Sequence, residues 1–344
     1  VTLLQSFDKA VHAAPEKVAV VAGKVRATYG ELAAAIETVA RALSSSGLGK
    51  GDVISIQLPN WAEFVVLHLA ATRLGAVTNP LLPNYRGKEL GYILAAARTK
   101  VAVFPKRYKN FDYPELYDEL RKSLPDLRAA YAVDGTGADL VRCEQLLRGG
   151  SAQLPSLVHH GDDLSSLIFT SGTESTPKGV MHSHNTMMYG TIAMAGLLGL
   201  DENDVVWIPS PVGHGTGFQW GVRQAITLGA KMVLQDSWDP EEDLRLIEAE
   251  KCTFVLSATP FVVSLAESSC CAAHDLSSFR IFACAGAPIP SHLGARAEKT
   301  LGCKLIGMWG MTECFVASAS APNDLDGSRW STDCKAMPGA ELAI

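Results

Sequence analysis

The chain reads as an α/β fold: two mostly parallel β-sheet subdomains layered with helices. Three observations carry this reading. Short β-branched runs alternate with longer helical patterns along most of the sequence. Helix-opening signals stand between them. The length, 344 residues, gives two or three units at roughly 150 residues each. In order along the chain, Leu3, Leu4, Phe7 and Val11 keep helical spacing until Pro15, and Val18 to Val21 then reads as a strand. Thr28-Tyr29-Gly30-Glu31 has capping-box form and opens a helix expected to end near Gly47. Val53 to Leu58 is a strand, Asn60 to Glu63 repeats the capping device, and Gly75 closes the helix that follows. Further strands are expected at Val101 to Phe104, Leu167 to Phe169, Val205 to Ile208, Lys231 to Leu234, Phe254 to Leu256, Arg280 to Ala283 and Lys304 to Met308. Met187 to Leu200 is too short to cross a bilayer comfortably and predicts a buried helix, closed by Asp201. A polar stretch between Asp134 and Asp163 places a soft break near residue 160, so residues 1–160 and 161–320 are expected to form the two α/β subdomains, with the sheets open to strands from both segments. Residues 321–344 turn polar and end in MPGAELAI, expected to be the first strand of a smaller, β-barrel-like element.

The composition excludes several functions. Thirty basic against 36 acidic residues leave a net charge of -6, so no global positive field exists to hold a nucleic acid or an anionic membrane. Eight cysteines, none in a C-x-x-C pair, are too sparse for a disulfide scaffold and read as reduced thiols. The opening VTLLQSFDKA shows neither a basic start nor an apolar core of a signal peptide, and a cytoplasmic protein is expected.

Residues 167–184, LIFTSGTESTPKGVMHSH, concentrate the chemistry. A strand delivers the chain into a loop with five hydroxyls, on Thr170, Ser171, Thr173, Ser175 and Thr176, beside Gly172 and Lys178, and VMHSH leads out as a second strand. A Walker A loop is excluded, because Pro177 supplies no N–H and Gly179 stands where that motif has Ser or Thr. What remains suits a polyphosphate that must be gripped and released: hydroxyls donate to phosphate oxygens and the ammonium adds a point charge.

TSGTESTPKG resembles the phosphate-loop signature of the adenylate-forming superfamily, which includes acyl-CoA synthetases, firefly-type luciferases and peptide-synthetase adenylation domains. Glu174 and Ser175 replace the commoner Thr and Gly. Two further stretches match in the family's order. IGMWGMTE, residues 306–313, is similar to the YGxTE element, with Trp309 in place of Tyr. The resemblance implies that Gly307, Met308, Trp309, Gly310, Met311 and Thr312 bind nucleotide. In it Trp309 stacks on adenine, Thr312 bonds the α-phosphate and Glu313 ligates Mg²⁺. CAGAPIP, residues 284–290, resembles the glycine-rich segment along the adenine and the acyl pocket, adding Gly286, Ala287 and Pro288. PSPVGHGTGF puts His214, with Gly215 and Thr216, at the acyl-pocket entrance.

By this resemblance Lys178, Thr312, Glu313 and His214 are the catalytic candidates. ATP, Mg²⁺ and coenzyme A, or a carrier protein in place of the last, are the implied partners, and a homodimer is compatible with it. Amino-acid-activating relatives place an aspartate near GHGTGF to pair with the substrate ammonium; none stands here, so a fatty or aromatic acid without an α-amino group is expected. The resemblance runs to Pro338-Gly339-Ala340-Glu341; the family's ribose-binding aspartate, hinge and C-terminal domain with its adenylation lysine have no counterpart by residue 344. The chain is therefore expected to be the large N-terminal domain with the C-terminal domain absent, and to adenylate poorly by itself. The competing expectation is a non-catalytic nucleotide- and acyl-binding domain on the same scaffold. His182 and His184, expected on one strand face, lack the partners of a metal set, and Cys270, Cys271 and Cys284 lack a histidine to activate a thiolate.

Overall fold

The computed structural model describes residues 1–135, 139–140, 143, 146, 152–170, 177–332 and 334–343. Two compact units result: Val1–Met188 with Pro211–His214, and Tyr189–Ser210 with Gly215–Ile344.

The first unit opens with the helix Leu3–Ala13, whose capping box between Thr2 and Gln5 is complete. β1 (Val18–Ala22) and β2 (Val25–Thr28) form an antiparallel hairpin. Thr28 then caps the helix Tyr29–Ser45: its N–H donates to Glu31 Oε2 at 2.8 Å and its Oγ1 accepts from Glu31 N at 3.2 Å. β3 (Val53–Ile56) leads to the helix Ala62–Arg73, and then come β4 (Val77–Pro80), β5 (Thr99–Pro105), the short β6 (Arg107–Tyr108) and β7 (Phe111–Asp112), and β8 (Ala129–Val133). β9 (Leu164–Thr170) and β10 (Lys178–Ser183) follow. The sheet order is β10-β9-β4-β3-β5-β8, parallel throughout except for β10. The helix Ala62–Arg73 is buried from Ala62 to Thr72, which is why its sequence shows no apolar stripe.

Several sequence expectations are corrected in this part of the chain. Asn60 does not cap the helix that follows; Trp61 occupies the cap position without a side-chain bond, while Asn60 Oδ1 accepts from the buried Val212 N at 2.8 Å. That bond ties Pro211–His214 to this unit, and Gly213 fits only because it lacks a side chain, since a Cβ there would overlap the Leu81 backbone. Residue 160 lies inside this unit, where β9 pairs in parallel with β4 through Ser166 and Thr78, so strands from both sides of the expected break share one sheet. His184 opens a helix, His184–Leu198, so His182 and His184 share no strand face. Both are buried, and His182 Nδ1 lies 3.3 Å from Thr186 Oγ1. Within this helix Met187, Met188, Met194 and Leu198 are buried, but Tyr189 and Ile192 are exposed, so the fully buried helix expected from Met187 to Leu200 is instead two-sided.

The second unit holds β11 (Val205–Ile208), β12 (Lys231–Leu234), β13 (Phe254–Ala258), β14 (Ile281–Ala285), β15 (Lys304–Met311), β16 (Phe315–Ala319) and β17 (Lys335–Ala336). Their order is β12-β11-β13-β14-β15-β16-β17. The first five are parallel, with helices Pro240–Glu250, Thr259–Glu267 and Ser291–Leu301 in the crossovers; β16 and β17 close the edge antiparallel. The strand expected in MPGAELAI lies just before it, at Lys335–Ala336, and Met337 begins a turn closed by Ala340 N donating to Met337 O. This strand extends the sheet of the second unit, and no closed barrel forms among the described residues. All eight cysteines are free thiols, as expected.

Two outcomes test these assignments. Thr28→Ala should cost about 1 kcal/mol, the usual value of a lost cap, whereas Asn60→Ala should cost about 1–3 kcal/mol by leaving a buried N–H unsatisfied, both read by denaturant unfolding. Asp243 is fully buried and accepts from Gln235 Nε2. Burial first, with Asp239 and Glu242 nearby adding to it, pushes its pKa up to about 7 against the lowering effect of its hydrogen bonds. The folded state thus holds a proton that the unfolded chain releases near pH 4. Its contribution is complete below that pH and is lost as pH rises toward 7; Asp243→Asn should flatten this part of the stability profile.

Candidate functional site

Parallel pairing of β14 with β15, with Cys284 opposite Gly307, brings the C-terminal ends of both strands to one edge of the second unit's sheet. There the two chain segments singled out in the sequence meet. A cavity of about 550 Å³ is lined by Gly286, Ala287 and Pro288 from the turn after β14 and by Gly307, Met308, Trp309 and Gly310 from β15. Trp330, Ser331, Thr332 and Cys334 supply a further wall, which sequence reasoning missed. The only signal for that wall was the change to a polar, turn-rich composition after Ala321.

Local chemistry explains the shape. Gly286 has φ +89°, a left-handed conformation that side chains resist, and the space where a Cβ would stand is open. The chain then runs through Pro288 to Pro290, whose extended backbone sets the start of the helix Ser291–Leu301. On β15, a bulge between Trp309 and Gly310 turns the strand, and Gly310 sits so close to β16 that a Cβ would overlap the carbonyl oxygen of Phe315. Trp309 is 48% exposed, an aromatic face left uncovered at the cavity. Thr312 and Glu313 occupy the turn from β15 to β16 beyond the exposed Met311, and Glu313 is exposed. Cys284 lines the cavity as a buried thiol: burial pushes its pKa up to about 11, against the lowering effect of Thr259, whose Oγ1 lies 3.4 Å away.

The remaining candidates fall elsewhere. Lys178 and Thr170 stand opposite one another in the β9–β10 register, at the two ends of the hydroxyl-rich loop; Lys178 is exposed. Ser171, Gly172, Thr173, Glu174, Ser175 and Thr176 lie outside the described residues. The chain passes from the first unit to the second between His214 and Gly215. His214 closes a turn on Pro211 O, and partial burial lowers its pKa below the usual histidine value. A Cβ built on Gly215 would stand 4.0 Å from the Phe315 ring, and Thr216 is next to Gly215 in the short helical turn Gly215–Gly217. Among the described residues no group of three His, Cys, Asp or Glu side chains could hold a metal, and Glu313 is a single carboxylate at a hairpin tip. No helix among them is long and apolar enough to cross a membrane.

In parallel α/β sheets, ligand sites lie outside the C-terminal ends of the strands, where this cavity stands. The chain belongs to the AMP-binding enzyme family, which it matches over residues 7–344. It is 36% identical over 346 residues to the medium-chain fatty-acid–CoA ligase of Escherichia coli (strain K12), covering 100% of this chain and 61% of that protein. It is 28% identical to a salicylyl-CoA synthase / salicylate adenylyltransferase of Streptomyces sp., covering 96% of this chain and 61% of that protein. The chain thus spans about three fifths of the length of these relatives. Among solved structures, the anthranilate CoA ligase AuaEII in complex with anthranoyl-AMP superposes with a TM-score of 0.88 at 22% identity, covering 98% of this chain and 64% of that one. The N-terminal domain of FACL13 from Mycobacterium tuberculosis superposes with a TM-score of 0.85 at 21% identity, covering 98% and 83%. These two share the fold.

The hairpin provides a direct test. Gly310→Ala should force β16 away from β15 and cost more than about 3 kcal/mol, a value reserved for severe backbone conflicts. Gly286→Ala meets open space and should cost only about 1 kcal/mol from its positive φ. Thermal unfolding of the two variants reads the difference.

Proposed function

We propose that this chain carries the nucleotide- and acyl-binding part of an ATP-dependent acid–thiol ligase. Such an enzyme activates a carboxylic acid lacking an α-amino group to an acyl-adenylate, then forms a thioester with coenzyme A. The observation that carries the reading is the cavity in which the turn after β14 and the Gly307–Gly310 stretch of β15 meet beside an exposed tryptophan. Membership of the AMP-binding enzyme family and the fatty-acid and salicylate relatives support it.

The chemistry follows from the carboxylate, a poor acyl donor because its oxygen is a poor leaving group. Attack of that oxygen on the α-phosphorus of ATP forms an acyl–phosphate bond, breaks the bond to the β-phosphate oxygen and releases pyrophosphate. The thiol of coenzyme A then displaces AMP. The protein's task is to gather two anions and spread the charge that develops at phosphorus. In this reading Trp309 stacks on adenine, and Gly286, Ala287, Pro288, Met308 and Gly310 shape its slot. Thr312 donates to the α-phosphate, and Lys178 with the hydroxyls of Thr170, Ser171, Thr173, Ser175 and Thr176 grips the departing pyrophosphate. His214, Gly215, Thr216 and Gly286 border the acyl group. Mg²⁺ neutralises phosphate charge when bound. An exposed lone carboxylate such as Glu313 suits it, because Mg²⁺ commonly takes one or two carboxylates and completes its shell with phosphate oxygens and water. A cytoplasmic setting and coenzyme A rather than a carrier protein as acceptor belong to the same proposal.

Carboxylate-dependent exchange of labelled pyrophosphate into ATP tests it, with medium-chain fatty acids, salicylate and an amino acid compared. Exchange with the first two and none with the third is expected. ATP hydrolysis indifferent to any carboxylic acid overturns the reading, and AMP binding with no exchange by the full-length protein supports the non-catalytic alternative. Lys178→Ala and Glu313→Gln should each lower exchange by about 10²-fold or more, as loss of one charge-stabilising group does. Trp309→Ala should raise the KM for ATP by about tenfold with little effect on that for the acid.

A further inference from the structure

The cavity wall that the sequence did not announce is held from behind by an ion pair between a buried guanidinium and a partly buried carboxylate. Arg329, 1% exposed, lies in the short turn Ser328–Ser331, next to the cavity residues Trp330 and Ser331. Its Nη2 donates to both carboxylate oxygens of Glu298 at 2.7 Å, and its Nε donates to Oε1 at 3.2 Å. Nη1 reaches the Asp324 carbonyl and Asp326 Oδ1, each at 2.7 Å. Burial by itself would lower the Arg329 pKa, but the bonds to Glu298 and Asp326 reverse this and leave it raised, so the guanidinium stays charged. Glu298 sits on the helix Ser291–Leu301 and also accepts from Leu305 N of β15 at 2.8 Å. One carboxylate therefore joins three pieces of the cavity: the helix that follows the Pro288 turn, the strand that carries Trp309, and the wall segment.

The approach is close everywhere. A Cβ on Gly307 would stand 2.6 Å from Arg329 O, one on Gly294 would overlap the Trp330 ring, and Cys334 Sγ donates to Gly307 O at 3.0 Å. Such a pair is a weak source of net stability, because desolvation of the buried Arg329 guanidinium offsets much of the attraction. What a bidentate guanidinium–carboxylate pair supplies is orientation, since its planar fork admits one arrangement. Here that orientation sets the position of the cavity wall.

We propose that Arg329 and Glu298 are positioning residues that hold the wall formed by Trp330, Ser331, Thr332 and Cys334 at the spacing a nucleotide requires, and so set nucleotide affinity without touching the ligand. The assignment rests on the nucleotide reading of the cavity given above. It concerns affinity: the pair acts through the wall, and the groups assigned to the reacting phosphates lie on other segments.

Calorimetric titration of AMP into the unmutated chain, Arg329→Lys and Glu298→Gln tests the proposal, well below the melting temperature of each. Alkylation of Cys334 by iodoacetamide, located by peptide mass mapping, gives a second readout on the wall. Both variants should weaken AMP roughly tenfold or more, as small displacements of a binding group do, and should speed Cys334 alkylation. Native AMP affinity and native alkylation in variants that merely melt earlier would reduce the pair to a structural role and overturn the assignment. Should the single variants fail to fold, the apolar pair Glu298→Met with Arg329→Met decides, since such replacements commonly retain stability. Native melting with weakened AMP supports the proposal; native melting with native affinity overturns it. Failure of the unmutated chain to bind AMP overturns the nucleotide reading, and is seen before any variant is compared.

Discussion

The parallel register of β14 on β15 is the constraint on which the candidate site depends. With Cys284 opposite Gly307, the chain leaves one strand at Ala285 and the other at Met311 on the same side of the sheet. Segments about twenty residues apart in sequence therefore line one cavity, and the crossover helix between them, Ser291–Leu301, lies against the same strand ends. Moving this register by one residue would carry every side chain of β15 to the opposite face of the sheet, because successive residues of a strand point to opposite faces. The glycines are subordinate to that geometry: Gly286 supplies a positive φ, and Gly307 and Gly310 admit the neighbouring backbone.

The hairpin β15–β16 and the wall behind it extend the same logic. A parallel sheet ends at β15, and the antiparallel β16 and β17 cover an edge that would otherwise present unpaired N–H and C=O groups. The segment between β16 and β17 is carried back over the sheet and anchored through Arg329, so a structural covering of the edge also becomes one side of a cavity. In the first unit Pro211–His214 plays a comparable part: Asn60 and the absent side chain of Gly213 hold it at the ends of β3 and β4, and it delivers His214 at a turn.

Much of the fold was legible because local physics and tertiary packing agreed. Thr28 and Glu31 satisfy one another's backbone donors whatever surrounds them, and Val205–Ile208 and Lys231–Leu234 are strands with the bounds expected from their short apolar runs. Where the reading failed, a distant partner had intervened. Asn60 has the local credentials of a cap, yet its oxygen is engaged by Val212, more than 150 residues away in sequence. β4, Val77-Thr-Asn-Pro80, contains two turn-forming residues and is a central strand only because burial on both sides and the bond from Asn79 Nδ2 to Ser55 Oγ make it one. Met187 to Leu200 is uncharged and largely apolar, and nothing in that run says that Tyr189 and Ile192 are the side left exposed.

By itself the sequence determined the α/β class, most strand positions and the chemical character of the candidate residues, since hydrophobic period, cap residues and hydroxyl, lysine and carboxylate groups are properties of short segments. Tertiary structure alone decided that CAGAP and MWG share a cavity, that the turn around Arg329 forms its further wall, and that residues 211–214 belong with a unit most of whose chain precedes them. Those outcomes depend on strand order and on contacts between segments far apart in the chain, and no local pattern encodes which distant partner a strand or a buried guanidinium will find.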